Sequence, residues 1–198
     1  MDEAGLIQDA QQGDLDAFNR LILAYQDRVY NQAFRVLGEY QSADDATQEA
    51  FISAYNNIRS FRGGSFRAWL LRIVTNACYV ELRRKKRRPT TPLEPVDDEG
   101  DEIESPHWIA DPGELPEDNV ARSELANAIQ ACLDQLSADF RVVVVLVDVQ
   151  GLDYLEASEV IGKPLGTIKS RLARARNRMK DCLQGFWELL PHSMRLES

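Results

Sequence analysis

Histidine and cysteine are scarce in this chain of 198 residues, which has two of the first and three of the second. His107 and His192 fall in a proline-rich stretch and in the C-terminal tail. No nucleophile, base and orienting acid can be assembled from such a set, so an enzyme is not expected. Cys78, Cys132 and Cys182 are too few and too scattered for a disulfide framework or a zinc site. Each falls in a predicted helix and is expected as a small core or half-buried residue. No apolar run reaches the roughly 18 residues of a membrane span. The start, Met1-Asp-Glu-Ala-Gly, lacks the basic and apolar regions of a signal peptide. Gly-rich phosphate loops and internal repeats are absent as well. Asp44, Asp45 and Glu49 invite a metal, but helical spacing turns Asp44 away from the other two. Neither metal nor cofactor is expected, and the chain reads as a soluble cytoplasmic protein.

Basic charge is outnumbered, with 23 Lys and Arg against 32 Asp and Glu and a net charge of -9. The excess sits in one place. Residues 1–88 have a net charge of +2, residues 89–121 carry 11 acids and no base, and residues 122–198 balance. Segment 89–121 also holds six of the eight prolines and shows no periodicity. It reads as an extended acidic linker. Two small helical domains are expected on either side, 1–88 and 122–184, followed by a tail at 185–198. The fold class is all-α.

Within this acidic chain, Lys163 to Lys180 carries seven Lys or Arg and no acid. Ile168, Leu172, Ala175 and Met179 form one apolar stripe on a helix. Thr167, Ser170, Arg174 and Asn177 fall opposite, flanked by Lys169, Arg171 and Arg178. A helix anchored on one side and cationic on the other suits a DNA major groove. Upstream, Asp153 can cap a short helix from Tyr154 to Ile161 with Leu155, Ser158 and Ile161 inward. Gly162-Lys163-Pro164-Leu165-Gly166 breaks it, and Thr167 opens the basic helix. Helix, Gly/Pro turn and basic helix make a helix-turn-helix. Val142 to Val147 reads locally as a strand. Ser137 as a cap, the face Phe140, Val143, Val144 and Val147, and the need for a supporting helix assign it as helix.

In the first domain, Phe18, Leu21, Ile22, Tyr25, Val29, Ala33 and Phe34 keep helical spacing up to Gly38. Ser42 is expected to cap the next helix, which should bury Thr47, Phe51, Ala54, Tyr55 and Ile58. Its other stripe, Asp45, Glu49, Ile52 and Asn56, is acidic with one exposed apolar residue and suits a partner surface. After Gly63 and Gly64, Ser65 caps a third helix with the core face Phe66, Trp69, Leu70, Ile73, Ala77 and Val80. A separate stripe, Arg72, Asn76, Tyr79 and Arg83, suits a nucleic-acid backbone and an unstacked base. It runs into Arg83-Arg-Lys-Lys-Arg-Arg88, which can neutralise phosphates.

Two motifs carry a family resemblance. Gly151-Leu-Asp-Tyr-Leu-Glu-Ala-Ser-Glu-Val-Ile-Gly with Pro164-Leu-Gly-Thr-Ile-Lys-Ser-Arg-Leu-Ala-Arg-Ala-Arg resembles the DNA-binding region of bacterial sigma factors, closest to the group IV or extracytoplasmic function (ECF) class. Ser42-Ala-Asp-Asp-Ala-Thr-Gln-Glu-Ala-Phe resembles the polymerase-binding helix of the same family. The resemblance implies that Thr167, Lys169, Ser170, Arg171, Arg174 and Arg178 meet the −35 element as duplex. It implies that Phe61, Arg72, Asn76, Tyr79 and Arg83 meet the −10 element as single strand, with Phe61-Arg62-Gly63-Gly64 shaping a pocket for a flipped base. Asp45, Gln48, Glu49 and Ile52 would engage core RNA polymerase, whose implied contacts are the β′ clamp helices and the β flap. An anti-sigma factor is a further implied partner, and Gly185 to Leu190 would either dock it or cap the second domain. The acidic linker would either thread a basic polymerase channel, fold back on basic faces, or serve as a spacer. The family commonly has Asp where this chain has Val80. Alternative readings are a stand-alone helix-turn-helix regulator and a protein-interaction adaptor.

Overall fold

A computed structural model describes residues 2–87 and 116–189, with side chains omitted at 116–122 and at 187. Among these residues the chain is helical, without strands. No helix among them is long and apolar enough to cross a membrane.

The first half has four α-helices. Helix α1 (Glu3–Gln12) starts at Asp2, whose carboxylate accepts from the Gly5 N–H, and α2 (Leu15–Leu37) starts at Asp14, which accepts from Asp16 and Ala17. These caps satisfy N–H groups that a helix start leaves unpaired. Helix α2 ends at Gly38, where φ is +73 and the N–H closes onto the Phe34 carbonyl, as the sequence pattern requires. Its buried residues include Phe18, Leu21, Val29, Ala33 and Val36.

Helix α3 (Tyr40–Asn57) begins earlier than expected. Ser42 is not its cap: the residue is buried inside the first turn, and its hydroxyl donates to Glu39 at 2.9 Å. Glu39, before the helix, also pairs with Lys85. The expected buried face is shifted. Ala43, Ala46, Ala50 and Ala54 are the buried stripe, while Thr47 and Phe51 are half-buried and Tyr55 is exposed. Alanines bring helix axes close, so α3 seats on α2 and on the next long helix, α4 (Phe66–Arg87), by its smallest side chains, and bulkier neighbours flank the contact. Ala54 and Ile58 are buried as expected.

Helix α4 (Phe66–Arg87) is capped by Ser65, whose hydroxyl accepts from the Ala68 N–H. Trp69 packs against Phe61 and Phe66. Beyond Leu70, however, the core face is turned: Leu71, Val74, Cys78 and Glu81 are buried, and Val80 is 61% exposed. Helix α4 carries two apolar stripes, and the packing of α2, α3 and helices from later in the chain around it selects between them. Glu81 accepts from Arg84 Nη2 at 3.0 Å and pairs with its Nε at 2.8 Å, so the buried carboxylate is matched by a guanidinium.

The second half opens with α5 (Pro116–Asp134), so the last residues of the expected linker are helical; positions 88–115 lie outside the described residues. The valine run is helix: α6 (Ala138–Val144) passes into a wider π-turn, Val145–Val149. Val142, Val143, Val145 and Leu146 have no exposed surface. Burial around most of the helix offsets the weak helix propensity of β-branched residues. Helix α7 (Tyr154–Ile161) and α8 (Leu165–Leu183) follow, and a 3-10 turn, Gln184–Leu189, packs on α5 and α8.

Cys132 and Cys182 form a disulfide that ties α5 to the end of α8 across 50 residues of sequence, against the expectation of isolated cysteines. They are remote in the chain but adjacent once α5 lies along α8. Cys78 is free and buried. Between the halves, Arg141 donates to the Val36 carbonyl at 2.8 Å, Gln150 to the Arg28 carbonyl at 3.1 Å, and Arg35 to Gln130 at 3.2 Å. Arg67 pairs with Glu156 at 3.5 Å. One apolar core runs through both halves.

Candidate nucleic-acid interface

The helix-turn-helix is built from local bonds. Asp153 accepts from the N–H groups of Leu155 and Glu156, both at 2.8 Å, and Glu156 returns a bond from the Asp153 N–H at 3.0 Å. This capping box fixes the start of α7. Gly162, at φ +67, ends it, and the Ser158 hydroxyl donates across the turn to the Lys163 carbonyl at 2.5 Å. Ala157 and Val160 are the buried residues of α7. Leu155 is 63% exposed and Ser158 only half-buried, so the inward face lies beside the expected one. Pro164 precedes α8, which starts at Leu165, two residues before the expected Thr167.

Ile168, Leu172 and Ala175 anchor α8 with 0–2% exposure, and Met179 packs against them. Lys169, Ser170, Arg174 and Arg178 face outward, while Thr167 and Arg171 are half-buried. Arg174 has no ion-pair partner among the described residues. Arg171 Nη2 pairs with Asp139 at 2.7 Å. Arg178 lies 4.8 Å from the Phe140 ring centroid and Lys169 6.0 Å from that of Tyr154. Arg176, outside the expected set, grips Asp148 through two nitrogens, which pushes its pKa up. The sequence places Phe140 and Tyr154 only as helix residues and does not mark Asp139, because nothing in their spacing shows which cations they meet.

On α4, Arg72, Asn76 and Arg83 are exposed, and Arg83 Nε donates to the Tyr79 carbonyl at 3.1 Å. Tyr79 is half-buried, and its hydroxyl donates to Asp139 at 3.4 Å. Burial first, then the Asp139 carboxylate, pushes its phenol up to about 12. Phe61 is placed apart from this stripe. It is 8% exposed, its ring 5.5 Å from both Phe66 and Trp69, and its carbonyl accepts from Gln11 at 2.8 Å. Its ring therefore anchors the loop from within. The exposed part is Arg62, Gly63 and Gly64, with φ +98 and +89 at the glycines and open space around them.

Asp45, Gln48, Glu49 and Ile52 are all exposed on the outer side of α3. They line a groove of about 570 Å³ between α3 and α4, with Val80 on its far wall. Ile52 and Val80 are 51% and 61% exposed, so Val80 adds apolar surface to this groove instead of filling the core.

A buried-backed basic helix after a tight turn defines a helix-turn-helix DNA-binding protein, here with the first helical half bearing an acidic groove. Residues 21–88 match the family "Sigma-70 region 2", and residues 126–179 match "Sigma-70, region 4". The chain is 38% identical over 179 residues to the ECF RNA polymerase sigma factor SigW of Bacillus subtilis, covering 90% of this chain and 95% of that protein. Among solved structures it is similar to the sigma factor RpoE in complex with the anti-sigma factor NepR from Bartonella quintana, with TM-score 0.65 and 26% identity over 86% of this chain and 98% of that one. CnrH in complex with the cytosolic domain of CnrY gives TM-score 0.64 and 26% identity over 91% and 96%. The chain belongs to the ECF sigma factors of the sigma-70 family, whose work is promoter-specific transcription initiation.

Proposed function

We propose that this chain binds core RNA polymerase through the α3 face, Asp45, Gln48, Glu49 and Ile52, and reads a promoter at two places. Thr167, Lys169, Ser170, Arg171, Arg174 and Arg178 of α8 meet the −35 duplex; Arg174, exposed and unpaired among the described residues, is the strongest candidate for a base edge. Arg72, Asn76, Tyr79 and Arg83 of α4 meet the −10 element as single strand. Phe61 supports the Arg62-Gly63-Gly64 loop from inside. The β′ clamp helices are the partner that fits an acidic groove, and the β flap is the partner proposed for the second half. The chain contributes selection without a catalytic step of its own and works in the cytoplasm, where the polymerase is. An anti-sigma factor fits as its inhibitor, since both aligned structures are complexes, one of them with a named anti-sigma factor.

The observation that carries this reading is the pairing of two exposed surfaces on one chain: cations on α8 and acids on α3. Run-off transcription with core polymerase on a randomised promoter pool tests it. The expected result is a defined start site with enrichment of two sequence elements. Failure to associate with core polymerase, or transcription without start-site selection, overturns it.

A further inference from the structure

One carboxylate touches both proposed DNA-binding sets. Asp139, in the first turn of α6, accepts from the Tyr79 hydroxyl of α4 at 3.4 Å through Oδ1 and pairs with Arg171 Nη2 of α8 at 2.7 Å through Oδ2. The next residue, Phe140, lies under Arg178. An anionic oxygen that accepts from a guanidinium and a phenol offers what a DNA phosphate offers. The pair is also tradeable. The Asp139 side chain is 52% exposed, and Arg171 Nη1 is buried without a hydrogen-bond partner among the described residues. A phosphate reaching this point can replace Asp139 without opening a dry, fully satisfied ion pair.

We propose that Asp139 is an internal competitor for DNA, holding Tyr79 and Arg171 together while the two halves of the chain are packed on each other. Arg171 belongs to the same half as Asp139, whereas Tyr79 belongs to the other. Separating the halves therefore frees Tyr79, and only DNA or removal of the carboxylate frees Arg171. The idea rests on the DNA-binding reading above but needs neither polymerase nor a known promoter, because competition with phosphate is independent of sequence.

The test uses the full free chain, with a random-sequence duplex and a random-sequence single strand as probes. Asp139→Asn should tighten binding to both probes by about two- to five-fold, the range of a part-exposed ion pair. Asp139→Ser, which suits a helix first turn, serves as a second variant should the amide disturb folding, and thermal unfolding checks both. The sign separates the alternatives. A residue that merely props α6 would weaken binding when changed, so folded variants with unchanged or weaker affinity for either probe overturn the proposal. Start-site selection by the wild-type holoenzyme is read separately, so loss of the sigma reading and loss of this one are distinguishable.

Discussion

Arg141 donates from Nη1 to the Val36 carbonyl at 2.8 Å, joining α6 of the second half to α2 of the first. Its Nη2 serves the carbonyls of Asp134 and Leu136 at 2.7 and 3.2 Å, and Asp134 Oδ1 lies 3.0 Å from Nη1. Burial pushes the guanidinium pKa down while Asp134 opposes the shift. One planar cation thus closes the end of α5 and clasps the other half.

Arg141→Ala should therefore cost stability twice. The Val36 carbonyl alone, left buried without a donor, is expected to cost about 1–3 kcal/mol. Arg141→Lys should not restore it, since a compact ammonium cannot span three carbonyls held by a fork. Chemical denaturation, with inter-half distance followed by fluorescence transfer, measures both effects. Wild-type stability in Arg141→Ala would refute the clasp.

The α3 groove leads to a second expectation. Reversing charge with Asp45→Lys and Glu49→Lys should weaken association with core polymerase while leaving the thermal midpoint within error, because both side chains are exposed. Val80→Ser should act in the same direction by removing apolar surface from the groove that Ile52 also lines. Binding titrations with core polymerase measure this, and unaltered affinity in all three variants would place the partner elsewhere.

The disulfide offers a third. Reduction should lower the stability of the second half, by about 2–4 kcal/mol for a bridge of this kind. The loss should disappear in Cys182→Ser, where reductant has nothing to break. Native oxidised protein should show no thiol accessible to alkylation, since Cys78 is buried and its thiol pushed up to about 12. Mass spectrometry after alkylation, before and after reduction, tells the cases apart.

Alkaline pH gives a fourth. Burial leads the causes that push Tyr25, Tyr79 and Cys78 up to about 12, from ordinary values of 10.0, 10.0 and 9.0. A folded-state pKa above the unfolded one contributes stability that is complete below the unfolded value and is lost as pH rises through the folded value. The thermal midpoint should hold up to about pH 9 and fall progressively towards pH 12. Tyr79→Phe, which cannot ionise, should show a shallower fall. Equal slopes would mean that Tyr79 is not held as the packing of α4 on α6 requires.

Much of this protein is written in its order of residues. Capping acids, helix-ending glycines and periodic apolar stripes depend on neighbours within a turn or two, so α2, the Ser65 cap and the turn between α7 and α8 were legible from spacing alone. The cationic outer face of α8 was legible for the same reason. Tertiary packing decided what local spacing leaves degenerate. It chose alanines over larger residues as the seat of α3, turned α4 so that Glu81 is buried and Val80 is outside, and kept a valine run helical by enclosing it. It also joined Cys132 to Cys182 and brought Tyr79 and Arg171 to one carboxylate. These contacts span from about 30 to 60 positions in the chain, and no periodicity within a single helix encodes them.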